Sequence, residues 1–137
     1  MTSLTHVALH VADIEAVADF YRRYCDMQCI HERRSSSKCI YWLAEPGRET
    51  ELIFVLMSGG SKVSHPDGDY SHLGFALETR EAVDQIADKA RDDGILLWEP
   101  RQDDYPVGYY CGVLDPNGNQ VEFSHGQPLG PGAPEQV

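Results

Sequence analysis

Two histidines and one glutamate carry the chemistry that is legible in this chain. Slide the sequence by 66 residues and Thr5-His6-Val7-Ala8-Leu9 falls on Ser71-His72-Leu73-Gly74-Phe75. In the same register Glu15-Ala16-Val17 falls on Glu81-Ala82-Val83, and Arg23 falls on Lys89. A histidine early in a strand, followed by a helix opening in Glu-Ala-Val, therefore occurs twice. Side chains alternate across a strand, so His6, Ala8 and His10 share one face, and His72, Gly74 and Ala76 share a face of the equivalent strand. Gln120, Glu122 and Ser124 share a face of the last strand. Glu122 stands between Val121 and Phe123, which are core residues on the opposite face. A carboxylate that reaches a sheet interior must be paired or bind a cation. His6, His72 and Glu122 thus form a candidate set of two imidazoles and one carboxylate. That set suits Fe(II), Mn(II), Ni(II), Co(II) or Zn(II), with positions left open for substrate or water.

The elements that must position these residues follow from periodicity and turn chemistry. Thr5 to Val11 reads as a strand. Asp13 can cap a helix in which Ile14, Val17, Ala18, Tyr21 and Tyr24 recur at helical spacing, ending near Asp26. Strands are expected over Gln28 to Arg33, Cys39 to Leu43 and Leu52 to Met57, with turns at Ser35-Ser36-Ser37 and Pro46-Gly47. A polar link, 58–69, precedes the restart. Ser71 to Leu77 is a strand, and Arg80 to Asp92 is a helix with Gly94 just past its end. Ile95 to Trp98, Tyr109 to Leu114 and Gln120 to Ser124 are the next strands. Asp115-Pro116-Asn117-Gly118 joins the last two as a hairpin. The order is βαβββ followed by βαβββ. Module one spans 2–57, module two spans 70–125, and a Gly- and Pro-rich tail, 126–137, is expected to be loose. Each module is half a core and needs a partner to cover its sheet, so the 137 residues are expected to form a single domain.

Composition excludes several classes of partner. A formal charge of −11 repels phosphate backbones and anionic membrane surfaces, so nucleic acid and membrane are not expected partners. No apolar run is long enough to span a bilayer, and the N-terminus does not read as a signal peptide. Cys25, Cys29, Cys39 and Cys111 have no Cys-x-x-Cys spacing, which fits reduced thiols in a cytoplasmic protein.

The chain resembles the vicinal oxygen chelate superfamily, which includes glyoxalase I, extradiol ring-cleaving dioxygenases, fosfomycin-resistance proteins, methylmalonyl-CoA epimerase and bleomycin-resistance proteins. The resemblance rests on Thr5-His6-Val7-Ala8-Leu9-His10-Val11-Ala12-Asp13, Ala18-Asp19-Phe20-Tyr21, Ser71-His72-Leu73-Gly74-Phe75 and the run from Leu114 to Phe123. It implies an α+β fold in which two tandem βαβββ modules form a curled mixed sheet, a cup around a divalent metal. It also implies that His6, His72 and Glu122 hold that metal while a small-molecule substrate chelates it through neighbouring oxygens. Within the superfamily the cup closes inside one chain or between two chains; a homodimer is expected here, with the location of the cup left open.

Departures from the family pattern narrow the reading. Glyoxalase I and the epimerase have a fourth ligand on the last strand of module one. Counting 66 back from Glu122 reaches Leu56, amid hydrophobic residues, and Glu51 reaches that place only by a register shift. A three-ligand lyase or isomerase is therefore the first expectation. The second is an Fe(II) extradiol-type dioxygenase, which would need an acid–base partner. His10 is the candidate, with Tyr110 as a catalytic tyrosine on the strand before the hairpin, although the ungapped family match falls on Gly112. The third is a metal-free binding protein resembling the bleomycin-resistance proteins. Among the other residues, Tyr105 and Tyr109 could line the cup mouth or pack. Trp98 reads as core, His65 as solvated, and His125 as facing away from Glu122. Arg22-Arg23 and Arg33-Arg34 read as solvated edges; Arg33 and Arg34 could instead receive an anionic substrate.

Overall fold

A computed structural model describes residues 1–134. The chain folds as two compact units, Met1–Val63 and a second that begins at Ser64. The first runs β1 (His6–Val11), α1 (Ile14–Cys25), β2 (Gln28–Arg34), β3 (Cys39–Ala44) and β4 (Ile53–Ser58). The second repeats it as β5 (Leu73–Ala76), α2 (Arg80–Asp92), β6 (Leu96–Asp103), β7 (Gly108–Leu114) and β8 (Gln120–His125). Each unit has one four-stranded sheet, ordered β1-β4-β3-β2 and β5-β8-β7-β6. In each the first strand lies at an edge and pairs in parallel with the fourth, and the remaining pairs are antiparallel. The α+β, two-module fold is as the repeat implies.

Local chemistry explains the helices. The Asp13 carboxylate accepts from the Ala16 N–H at 3.1 Å, and the Thr79 hydroxyl accepts from the Ala82 N–H at 3.1 Å. Each such cap contributes about 1 kcal/mol. Helix α1 buries Ile14, Val17, Phe20, Tyr21 and Tyr24, and α2 buries Val83, Ala87 and Ala90. Phe20, absent from the expected stripe, stacks on Tyr24 at 4.7 Å and meets Tyr21 edge-on at 4.9 Å. Facing them on the sheets are Leu43, Phe54 and Leu56 in the first unit, and Cys111, Val113, Val121 and Phe123 in the second. Each large apolar side chain so buried contributes about 1.5–3 kcal/mol.

Two boundaries differ from expectation for physical reasons. Strand β6 continues to Asp103, past Pro100; an edge strand tolerates proline because it need not donate on its free side. His72 lies just ahead of β5, which starts at Leu73. The segment after β8 also packs rather than hanging free: Gly132 lies so close to the Leu77 carbonyl that a Cβ there would approach it to 2.4 Å. Residues 135–137 of the expected loose tail lie outside the described residues. No helix among the described residues is long and apolar enough to cross a membrane.

Candidate functional site

In the second unit His72 and Glu122 come together. The Tyr70 carbonyl lies 2.6 Å from Nδ1 of His72. A carbonyl can only accept, so Nδ1 carries the proton and the neutral ring presents the lone pair of Nε2. That nitrogen stands 3.7 Å from Oε2 of Glu122. This is too long for a hydrogen bond, yet within the roughly 4.2 Å that two metal–ligand bonds can span. Glu122 is only 8% exposed. Its neighbours in register are glycines on both sides, Gly74 on β5 and Gly112 on β7. It accepts a hydrogen bond from the Gln127 amide at 3.3 Å. A buried carboxylate beside an imidazole lone pair, with no basic side chain bonded to it, fits a divalent cation.

The hairpin below is built for rigidity. Asp115, 4% exposed, accepts from the N–H groups of Asn117 at 2.8 Å and Asn119 at 2.9 Å. Its other oxygen accepts from the Asn119 amide at 3.0 Å. Gly118 supplies the positive φ (91°) that closes the turn. Gln120 donates from one amide nitrogen to the carbonyls of Asp69 at 2.8 Å and Ser71 at 2.7 Å. It thereby clamps the segment whose Tyr70 carbonyl orients His72.

A cleft of about 1030 Å³ opens over this pair. Trp98 lines it, with its ring edge-on to His72 at 5.8 Å. The expectation that Trp98 belongs to the core is thus corrected: its indole lies flat on Gly112, where a Cβ would come within 2.2 Å of the ring. Tyr110 also lines the cleft and donates to Asp103 at 2.9 Å, and Asp103 accepts from Arg101 at 3.0 Å. Burial, then the bond to Asp103, raises the Tyr110 phenol above its ordinary pKa, so it holds its proton at neutral pH. Tyr109 faces the other way, donating to Asp84 beneath the Arg80 guanidinium, and Tyr105 is exposed. His125 meets the Leu77 carbonyl at 3.2 Å, away from Glu122. His65, expected to be solvated, instead holds Asp69 at 3.0 Å, which with the Ser71 bonds lowers that carboxyl to about 2.

His6 lies on the first unit's sheet, on the same face as Ala8 and His10. It lines a second cleft of about 530 Å³ whose floor is Ile40, Trp42, Ile53, Val55 and Met57. His10 does not line this cleft; its Nε2 donates to the Ser58 carbonyl at 3.1 Å. Glu51 is paired with Arg48 at 2.8 Å and is also outside the lining. Leu56 points into the core at 0% exposure, so the position facing the cleft beside it is Val55. Arg34 bonds to Glu32 and Tyr41, whereas Arg33 turns to the cleft. Among the described residues no three His, Cys, Asp or Glu side chains gather at one point. Trp98 on the wall of the cleft over His72, Gln120 behind that pair and His31 in the cleft of His6 are not among the site residues read from the sequence. Gln120 was accessible, since it shares the face of Glu122, and His31 could have been found by alternation with Arg33.

Residues 3–123 match the sequence model of the glyoxalase/bleomycin resistance protein/dioxygenase superfamily, and the chain belongs to that family. It is 54% identical over 131 residues to an uncharacterized protein of Pseudomonas aeruginosa, covering 96% of this chain and 94% of that one. Among solved structures it resembles a fosfomycin resistance protein of Listeria monocytogenes, with a TM-score of 0.73, 18% identity, and 90% and 93% of the two chains covered. It also resembles the trypanothione-dependent glyoxalase I of Leishmania major, with a TM-score of 0.69, 18% identity, and 90% and 86% covered. A possible glyoxalase of Bacillus cereus gives a TM-score of 0.65 at 26% identity, with 90% and 99% covered. The Listeria protein has been crystallised with Mn(II).

Proposed function

We propose that this chain is a divalent-metal-dependent enzyme, a glyoxalase-like lyase or isomerase acting on a small molecule with two neighbouring oxygens. His6, His72 and Glu122 are its proposed metal ligands, His6 coming from the same chain or from a second copy in a homodimer. The observation that carries the reading is the His72–Glu122 pair: a proton-bearing Nδ1 anchored at 2.6 Å, and an Nε2 lone pair 3.7 Å from a buried carboxylate. When bound, the metal would act as a Lewis acid toward the substrate oxygens. Gln120 and the Tyr70 carbonyl hold His72 in place. Tyr110 offers a protonated phenol to the cleft, and Trp98 gives the cleft an apolar wall. The ring-cleaving alternative is less well supported, because β4 turns only Ile53, Val55 and Met57 toward the first unit's cleft and offers no proton-transfer group there.

Metal analysis of protein purified without chelators or a histidine tag tests this. The expected result is about one Fe, Mn, Ni, Co or Zn ion per chain, with binding lost in His6→Ala and in His72→Ala. Protein that is metal-free and shows no affinity for any of these five cations would leave the binding-protein reading in its place. Full affinity in His6→Ala would remove His6 from the ligand set.

A further inference from the structure

The chain has 22 acidic residues and eight arginines. Seven of the arginines have partners. Arg22 and Arg23 pair with Asp19, Arg34 with Glu15 and Glu32, and Arg48 with Glu45 and Glu51. Arg91 pairs with Asp88 and Glu99, and Arg101 with Asp103. Arg80 donates to Gln102 and stacks on Tyr109. Only Arg33 has no hydrogen-bond or ion-pair partner among the described residues. Strand alternation is the cause. Glu32 and Arg34 share the helix-facing side of β2 with Tyr41 and Glu15, while His31 and Arg33 face the cleft, opposite Trp42 and Ile40 on β3. No aspartate or glutamate lines that cleft, so Arg33 is its one permanent charge. In so acidic a protein, an acid-free, largely apolar cleft with an unpaired guanidinium on its wall has the chemistry to attract an anion.

We propose that the first unit's cleft binds a carboxylate of the substrate through Arg33, with the apolar body of the same molecule on Trp42, Ile40 and Val55. This deepens the proposed function and rests on it in one respect: His6, a proposed ligand, stands on the same face. The substrate class then becomes a small organic acid that carries a carboxylate as well as its chelating oxygens. The planar fork of the guanidinium matches a carboxylate with two parallel bonds, which a lysine could not supply. His31, edge-on to Trp42 at 5.3 Å, forms the wall beside it.

The test uses the full chain kept metal-free with a chelator, so it does not depend on the metal reading. Benzoate and its neutral isostere benzamide are titrated while the Trp42 indole N–H is followed by NMR. Benzoate is expected to shift that resonance and to bind at least about tenfold more tightly than benzamide. Arg33→Met should weaken benzoate binding about tenfold or more, Arg33→Lys should lose part of it, and the equal charge change Arg48→Met, outside both clefts, should alter it less than about twofold. Arg33→Gln serves if Arg33→Met fails to fold. Equal binding of the two probes, or benzoate affinity unmoved in Arg33→Met, overturns the proposal. Benzoate binding that survives the failure of metal loading keeps the anion site and sinks the metal site; the reverse outcome sinks the anion site alone.

Discussion

Val55 occupies in the first unit the place that Glu122 occupies in the second. Val55 pairs with Ala8, two residues after His6, and Glu122 pairs with Gly74, two residues after His72. The repeat is therefore one residue longer in the second unit, and the ungapped slide that pointed to Leu56 misses its counterpart by one. Neither position supplies a metal ligand, because Val55 is as apolar as Leu56. The first unit's cleft is lined by imidazole and apolar side chains, with no carboxylate among them.

This register separates two neighbouring substitutions. Leu56→Glu places a carboxylate in the core and should destabilise the protein by more than about 4 kcal/mol. Val55→Glu, on the cleft wall, should cost less than about 1 kcal/mol. Urea denaturation of the two variants measures the difference; equal losses would mean that the strand faces are assigned wrongly.

Glu122→Gln should move stability and metal binding in opposite directions. Metal affinity is expected to fall at least about a hundredfold. The metal-free variant should be as stable as the parent or more so, because a buried charge with no cation beside it is replaced by a neutral amide. Paired isothermal titration and thermal unfolding, both begun from metal-free protein, check the two halves. A large loss of stability without metal would make Glu122 a structural residue.

Gly112 and Trp98 should behave as one unit. Gly112→Ala drives a Cβ into the indole and is expected to cost about 1–3 kcal/mol. In a Trp98→Ala background the same change should cost almost nothing. A double-mutant cycle in denaturant gives the coupling energy, and additive losses would contradict the contact.

Cysteine reactivity should follow burial. Burial pushes the Cys111 thiol up to about 12, from about 9 in the unfolded chain, whereas Cys29 is exposed. A disulfide reagent at pH 8 should label Cys29 first and reach Cys111 only on unfolding. As pH rises past 9 the unfolded chain loses its thiol proton before the folded one does. The contribution from Cys111 is thus intact below pH 9 and is lost progressively between 9 and 12. Cys111→Ala should flatten that part of the stability curve; an unchanged slope would assign the loss to other groups.

The fold was legible because period and punctuation agree. Both helices have an apolar stripe and a capping residue, and the Asp115 turn is written out in sequence. His72 and Glu122 were legible because strand alternation fixes which residues share a face. Trp98 was not, because β6 shifts register on both sides of it, between Leu96 and Trp98 and again before Arg101, so simple alternation fails there. Gln120 was missed as a structural clamp because its partners, the carbonyls of Asp69 and Ser71, lie 51 and 49 residues away and are brought near only by the fold, whereas the His65–Asp69 pair, four residues apart, depends on the conformation of an irregular link that no periodicity reveals.

Trp42 and Trp98 are the chain's two tryptophans. Each stands in a different cleft, one beside His31 and the other beside His72. The protein therefore carries an intrinsic fluorophore in each half, with an imidazole near enough to alter its emission. Trp98→Phe leaves a chain whose light reports on the first unit's cleft alone, and Trp42→Phe leaves one that reports on the second unit's. Occupancy of the two halves can then be read optically and separately, without any attached dye.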